Sequence, residues 1–456
     1  MLTKSPGPVS LTRRRPQGPP WLLKATLFST LAFPPYMVLE PIGASSSLAQ
    51  LLALGLFGLW ALSSLLGLHD PVAFRHPGRA AVLALLLASC LSYAHLFAGL
   101  SGASTIAGRA AADRWMLLMI AAAGIAFVTT DGVRTVKDAM AAVRWVLAGG
   151  AVCSAAALIQ FTTHVNPVEW ISALMVGFAE NGDFDAFQAR GALMRVAGTT
   201  LHPIELGVVS AMLLPLAIWR AFYDKQGRKP LHWAAVGLFV LANALTVSRS
   251  ALLALVIALA VTIPFLPRLA RQWATVIVPL GAAGLFIAVP GLISTLFNAA
   301  TAGSSDPSIT YRTEDYPLAL RLVADRPWLG TGPGTWIPTN ALDIFDNEYL
   351  LTAVTMGVVG LVGLIAYLVV PALAALAAAR NAEGAELKLL AASAAAAGLV
   401  AMVTSGTFDS MSFPVFALLY PFFIGLSGAS WLMVKNQTEH GPATPLRTSP
   451  DLQPGG

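Results

Sequence analysis

YLLTAVTMGVVGLVGLIAYLVVPALAALAAA, residues 349–379, runs for thirty-one positions without one charged side chain. A helix rises about 1.5 Å per residue and the hydrocarbon core of a bilayer is about 30 Å thick, so about 20 apolar residues cross it. The stretch therefore reads as a membrane span over 348–378, opened by Asp346 and Glu348 and closed by Arg380. Inside it, Gly357, Gly360 and Gly363 suit close packing against a neighbouring helix.

Working outward, eleven more apolar runs follow the same rule. They lie near 21–41, 47–68, 80–99, 114–130, 138–160, 199–222, 231–247, 250–267, 273–295, 388–408 and 413–434. The composition agrees: 56% of the 456 residues are hydrophobic and 11% charged. A soluble domain carries about 25% charged residues to cover its surface. The expected fold is all-α, a polytopic membrane protein of about twelve transmembrane helices in one domain over 21–435. The tails, 1–20 and 436–456, are rich in Pro, Gly, Ser and Thr and are expected to be disordered and cytoplasmic. Cys90 and Cys153 sit in apolar runs and read as small buried hydrophobes rather than a disulfide or metal pair.

Orientation follows from the basic residues. With the N-terminus inside, twenty of the twenty-eight lysines and arginines fall on the cytoplasmic side. The net charge of +5 is thereby accounted for by topology, and no nucleic-acid partner is expected. The eight outer cations are all arginine: Arg109, Arg114, Arg190, Arg195, Arg249, Arg312, Arg321 and Arg326. Arginine's planar fork grips phosphate oxygens in pairs and keeps its charge. Both termini are expected in the cytoplasm, with two long outer loops at about 161–198 and 296–347. The first holds an amphipathic stretch over 168–175. The second is expected to start a short helix at Asp315-Tyr316-Pro317 and to end it before Pro327. Gly330-Thr331-Gly332-Pro333-Gly334 lacks the lysine of a phosphate-binding loop and reads as tight-turn glycines. No metal-ligand spacing occurs, and no metal or other cofactor is expected.

Ionisable groups gather at the outer ends of spans, where a charge is costly unless it has a role. Arg195 precedes the sixth span, and His202 and Glu205 follow it three residues apart, on one helix face. Ser248-Arg249 stands at an outer turn, Tyr311-Arg312 in the second long loop, and Asp346-Asn347 at the mouth of the 348–378 span. Each has a plainer reading as well. His202 and Glu205 would satisfy one another, Arg249 would snorkel, and Arg312 and Arg321 would pair with Asp315 and Asp325. Asp346 or Asn347 would cap a helix. Taken together, arginines and one carboxylate are what pyrophosphate departure and hydroxyl activation require.

At these residues the chain resembles the O-antigen ligase and polymerase superfamily, over about 190–365. In those ligases a His-Asn-type pair is followed by nine residues and Gly-x-x-Gly. Here Asp346-Asn347 is followed by nine residues and Gly357-Val358-Val359-Gly360. Arg195 to Gly207 is similar to the family's Arg-x-x-Gly-Thr stretch, and Ser248-Arg249 to its Ser-Arg pair. Arg312 with Pro327-Trp328-Leu329-Gly330-Thr331-Gly332 is similar to its Arg…Pro-x-x-Gly-x-Gly run. The resemblance implies a glycosyltransferase of the bacterial cytoplasmic membrane. It would move a glycan from a polyprenyl pyrophosphate carrier to an acceptor hydroxyl on a glycan or lipid-glycan, without a metal. Asp346, Arg249, Arg312 and Arg195 would be catalytic; Asn347, His202, Glu205, Arg321 and Arg190 would bind substrate. Aspartate stands where the ligases carry histidine, which points to a polysaccharide polymerase or a ligase with a non-lipopolysaccharide acceptor. The rival reading is a transporter or flippase of a lipid-linked or anionic solute. Against it, the halves show no repeat and no paired broken helices.

Overall fold

A computed structural model describes residues 18–43, 45–101, 105–182, 187–190, 193–288, 307–337 and 344–439. The fold is an all-α, polytopic bundle. Its helices are α1 (Trp21–Ala32), α2 (Leu48–Leu65), α3 (Pro77–Phe97), α4 (Ile106–Gly132), α5 (Val136–Thr163), the single-turn α6 (Val168–Ala173) and α7 (Pro203–Tyr223). They continue as α8 (Lys229–Leu245), α9 (Arg249–Thr262), α10 (Arg268–Ala288), α11 (Pro307–Asp325), α12 (Glu348–Asn381), α13 (Ala385–Thr404) and α14 (Pro414–Glu439).

Among the described residues, eight helices are long and apolar enough to cross a membrane: α2, α3, α4, α5, α7, α12, α13 and α14. The expectation of twelve is thus met for eight. α1 is apolar but only 12 residues long, and the expected span 21–41 stops at Ala32. Pro34 and Pro35 are the reason, since proline cannot donate to the helix and disfavours helical backbone before it. α9 is also short, α8 has 17 residues, and α10 opens on Arg268 and Arg271. The expected continuation of the ninth span to 295 and most of the tails lie outside the described residues.

α7, α13 and α14 are the most enclosed of the spans and form the centre. α12 lies between α13 and α3, and α9 packs on α7 and α13. Without a hydrophobic driving force between helices in lipid, close approach at small residues holds such bundles together. A Cβ on Gly425 of α14 would stand 2.4 Å from the Cβ of Thr129 on α4. One on Gly398 of α13 would stand 2.8 Å from that of Ala372 on α12. A column of aromatic rings, Phe408, Phe416, Tyr420 and Tyr367, fills the space between α12 and α14.

The two long segments are more ordered than loops. In the first, β1 (Met37–Leu39) pairs antiparallel with β2 (Phe178–Glu180), and β3 (Phe187–Arg190) with β4 (Leu193–Val196). Trp170, Leu174 and Val176 around α6 are exposed while Val168 is buried, as the amphipathic reading of this stretch expects. In the second, α11 begins at Pro307 rather than at residue 315, with Pro317 inside it, and ends before Pro327 as expected. Tyr311-Arg312 therefore lies within a helix, not ahead of one. α11 packs Ala319, Leu322 and Val323 against Phe345, Leu350 and Val354 at the start of α12.

The chain after α11 folds back onto α12. Gly357 breaks the helix with φ 64° and ψ −163°, which turns the amides of Val358 and Val359 outward. They donate to the carbonyls of Pro327 (2.8 Å) and Trp328 (3.2 Å), and the amide of Gly332 donates to the carbonyl of Thr355 (2.8 Å). Ser92 of α3 holds the carbonyl of Leu329 at 2.7 Å. A Cβ on either Gly330 or Gly357 would stand 2.4 Å from the other segment's main chain. Irregular backbone survives among membrane helices only when its polar groups are met by protein in this way. Gly363 packs against α3 as expected, whereas Gly357 meets this returning loop and Gly360 lies under Met356 of its own helix.

Candidate functional site

α8 ends at Leu245 and α9 begins at Arg249, so the chain reverses in three residues. Val247 takes φ 45°, a left-handed backbone that a β-branched residue adopts at a cost of about 1–3 kcal/mol. Its surroundings hold it there. The Asn243 side-chain amide donates to the carbonyls of Gly207 (2.8 Å) and Ala251 (2.9 Å), and Thr246 Oγ1 donates to Asn243 O (2.7 Å). Gly207 is required at this crossing, because a Cβ there would stand 2.3 Å from that of Ala251. The turn presents Ser248 as the N-cap of α9 and Arg249 as its first residue, half-buried. Arg249 is thus the first residue at the positive end of the helix.

Arg195, at the end of β4 and buried, donates from Nε to the carbonyl of Thr246 at 2.8 Å. Two arginines that stand 54 positions apart in the sequence are thereby joined through one turn. His202 is the N-cap of α7, just outside the span, and its Nδ1 accepts from the Ile204 amide at 3.1 Å. That bond assigns the proton to Nε2. Burial, reinforced by the charge of Arg195, pushes the imidazole down to about 4, so His202 is a neutral donor at neutral pH.

Glu205 does not pair with His202. Its buried carboxyl accepts from three backbone amides, those of Leu201 (2.9 Å), Val415 (2.8 Å) and Phe416 (3.0 Å). It therefore fastens the start of α14 to the start of α7. Loss of the carboxyl would strand buried donors at about 1–3 kcal/mol each.

Glu348, which sequence reasoning did not single out, does the same for α12. Its carboxyl accepts from the Met411 amide (2.8 Å) and Thr352 Oγ1 (2.9 Å), and its own amide donates to Ser405 O (2.9 Å). Glu348 thus pins the short segment 405–413 between α13 and α14, and Glu205 holds the first turn of α14 that follows it. At the centre of that segment is Asp409, a second residue that the reading missed. Burial, together with the charge of Asp346, pushes the Asp409 carboxyl up to about 6. Phe413 of the same segment lies 5.9 Å from the His202 ring, the two planes tilted by 56°. A charged residue in a short connection between two apolar spans was the available signal.

At the mouth of α12 the cap is Asn347, whose Oδ1 accepts from the amides of Tyr349 (2.9 Å) and Leu350 (3.3 Å). Asp346, the residue before the cap, is exposed. Arg321 is exposed on α11 and donates to Pro317 O at 3.3 Å, not to Asp325 as the plainer reading had it. Arg190 ends β3 and Arg312 lies in α11; both side chains lie outside the described residues. Among the described residues no group of three His, Cys, Asp or Glu is placed to hold a metal ion.

The turn at 246–249, α10, α11, the returning loop and the first half of α12 fall inside one stretch, residues 234–365, that matches the O-antigen ligase family. It is an O-antigen ligase domain. No curated protein matches the chain. The ligase domain contains Arg249, Arg312, Arg321, Asp346 and Asn347; Arg190, Arg195, His202, Glu205 and Asp409 lie outside the matched stretch. Such a domain implies a membrane glycosyltransferase with lipid-linked glycan substrates.

Proposed function

We propose that the chain transfers a glycan from a polyprenyl pyrophosphate carrier to an acceptor hydroxyl, as an O-antigen ligase or a polysaccharide polymerase does. The observation that carries this reading is the bond from Arg195 to Thr246, which sets a second guanidinium against the Ser248-Arg249 turn. Diphosphate leaving groups need positive charge fixed in advance, and paired guanidinium forks supply it where other transferases use a divalent cation. Arg195, Arg249 and Arg312 take that role, with Arg190 and Arg321 on the approach, and neutral His202 donates to a phosphate or sugar oxygen.

Asp346 takes the proton of the attacking hydroxyl. As the acceptor oxygen bonds the anomeric carbon, the bond from that carbon to the pyrophosphate oxygen breaks. The electron pair leaves on the carrier, where the arginines meet it. A carboxylate is a weak base, so its help is greatest late in the transfer, when the hydroxyl is acidic.

The test is transfer from a lipid-linked oligosaccharide by purified variants. Asp346→Asn is expected to lose about 100-fold or more in rate with unchanged thermal stability, because Asn347 keeps the cap. Asn347→Ala is expected to show the reverse emphasis, with about 1 kcal/mol of stability lost. Full activity in Asp346→Asn would end its assignment as the base. A purified protein that forms no glycosidic bond with any lipid-linked donor would favour transport.

The chemistry belongs outside the cytoplasm, with twelve spans and both termini inside; the basic asymmetry of the sequence supports this. In a background without Cys90 and Cys153, Asn181→Cys should react with an impermeant thiol reagent on intact cells and Gln226→Cys should not. The opposite pattern would invert the topology.

A further inference from the structure

Among the described residues, two that are not glycine take a left-handed backbone, His164 and Val247. They differ in kind. His164 closes α5 at an exposed C-cap, where a polar residue is tolerated. Val247 is β-branched and buried, and it follows the C-cap of α8, where glycine ordinarily stands and would adopt this backbone without strain. Strain of this kind persists only where the surroundings over-determine it, and it collects at functional sites. Here the restraint has an identifiable source.

Asn243 is buried on the last turn of α8, and its one side-chain amide reaches both neighbouring helices, Gly207 O on α7 at 2.8 Å and Ala251 O on α9 at 2.9 Å. It does so where these helices cross most tightly: a Cβ on Gly207 would stand 2.3 Å from that of Ala251 and 2.9 Å from Thr246 Oγ1. Arg249 therefore has fixed main chain on either side. Before it, Arg195 holds Thr246 O, and the Val247 amide donates to Ala244 O at 3.1 Å. After it, Asn243 holds Ala251 O. The Ser248 cap is a weaker restraint, with Oγ 3.5 Å from the Ala251 amide. Without the Asn243 clamp, the favoured course for valine is a negative φ, and rotation about that bond swings the chain that follows it.

We infer that Asn243 is a positioning residue for transfer: it holds the Val247 turn in its strained form and thereby sets where the Arg249 guanidinium stands. The inference rests on the proposed function and adds to it the device that aims the arginine. A shift of about 1 Å in a catalytic group is enough to cost about 100-fold in rate. Arg249 acts, in that reading, on a leaving group whose charge develops in the transition state, so kcat suffers more than KM. A polar tie that only joined helices would contribute modestly to stability and leave the rate alone.

The experiment uses purified full-length variants, assayed for transfer from a lipid-linked oligosaccharide and for thermal unfolding. Asn243→Ala is expected to lower kcat by about 30-fold while KM stays within about threefold. Its melting temperature should fall by only about 2 °C. Asn243→Leu, which fills the space without a donor, should lose rate equally; a wild-type kcat in either variant overturns the inference. The deciding variant is Asn243→Ala/Val247→Gly. Glycine keeps the left-handed turn without a clamp, so about tenfold of the lost kcat should return although a buried side chain has been removed. Recovery of less than about threefold overturns the inference, because a tie that only joins helices gains nothing from glycine in the turn. A second readout does not depend on activity. In a background without Cys90 and Cys153, the thiol of Arg249→Cys is labelled with a small methanethiosulfonate. Its rate should change by about threefold or more when Asn243→Ala is added and return when Val247→Gly is added as well. An unchanged rate overturns the claim that the turn moves. The two readings fail separately. Altered and restored labelling, with no transfer by the wild-type chain from any donor, removes the proposed function alone. Transfer by the wild-type chain with equal kcat in Asn243→Ala removes the positioning role alone.

Discussion

The two ends of the bundle spend their charges differently. At the end away from the ligase turn, carboxylates face cations. Asp224 receives both Nε and a terminal nitrogen of Arg144, at 2.9 and 2.6 Å, and Nε of Arg220 at 3.2 Å. Asp131 receives Arg79 at 2.9 Å, His69 at 2.7 Å and the indole of Trp60 at 2.8 Å, and the Arg79 guanidinium lies 5.1 Å from the ring of Phe127. At the ligase end, the buried carboxyls of Glu205 and Glu348 face backbone amides, and Arg195 faces a carbonyl. Opposite charges that meet inside low dielectric close a structure. Groups held by the main chain are instead fixed in place by the fold itself.

The largest expected effect tests the closed end. Burial works to raise the Asp224 carboxyl, but hydrogen bonds from Arg144, Gln226 and Arg220 hold it well below the ordinary carboxylate range. Asp224→Ala leaves those arginines facing one another and is expected to cost about 3 kcal/mol of stability. The rate of protein that still folds should be unchanged, and thermal denaturation beside a transfer assay separates the two quantities. A rate defect at normal stability would show that the ends are not divided in this way.

Next comes the ligase end itself. Arg249→Ala is expected to lose about 100-fold in transfer rate with little change in melting temperature. Arg249→Lys should recover little of it, since a point charge lacks the paired fork. Rescue by lysine would reduce Arg249 to a local counter-charge and blur the contrast.

The smallest effect is a pH dependence at Asp409. Its folded carboxyl, at about 6, lies above its unfolded value near 4, so the folded state holds the proton more tightly. The stability it contributes is complete below about pH 4 and is lost as pH rises through about 6. In Asp409→Asn this slope should flatten, and the variant should melt slightly higher than wild type at pH 7.5. An unchanged slope would place the titration elsewhere.

Most of the bundle was legible because the bilayer writes its requirement into consecutive residues. A run such as 349–379 needs no distant partner to be recognised. What required tertiary partners was not legible. Met37–Leu39 becomes a strand only because Phe178–Glu180 arrives beside it, and Pro34-Pro35 had already ended the helix that hydropathy extended to 41. Pro317 was read as a helix start because proline favours first turns, yet it stands ten residues inside α11. The site was visible as residue types at the right ends of spans. Which aspartate or asparagine capped α12 was not, and Asp409 acquired its meaning from Asp346 and from two glutamates that belong to other helices.

Gly330 and Gly357 stand 27 positions apart and would be read along the chain as parts of two motifs. In space they are one joint, main chain against main chain. This makes them unusual as objects of inheritance. When two side chains meet, a larger one on one side can be offset by a smaller one on the other. Here the obstacle to any new side chain is backbone, which no substitution can trim. Neither position has a compensating partner, so each must be kept for its own sake for as long as the returning loop rests on its helix.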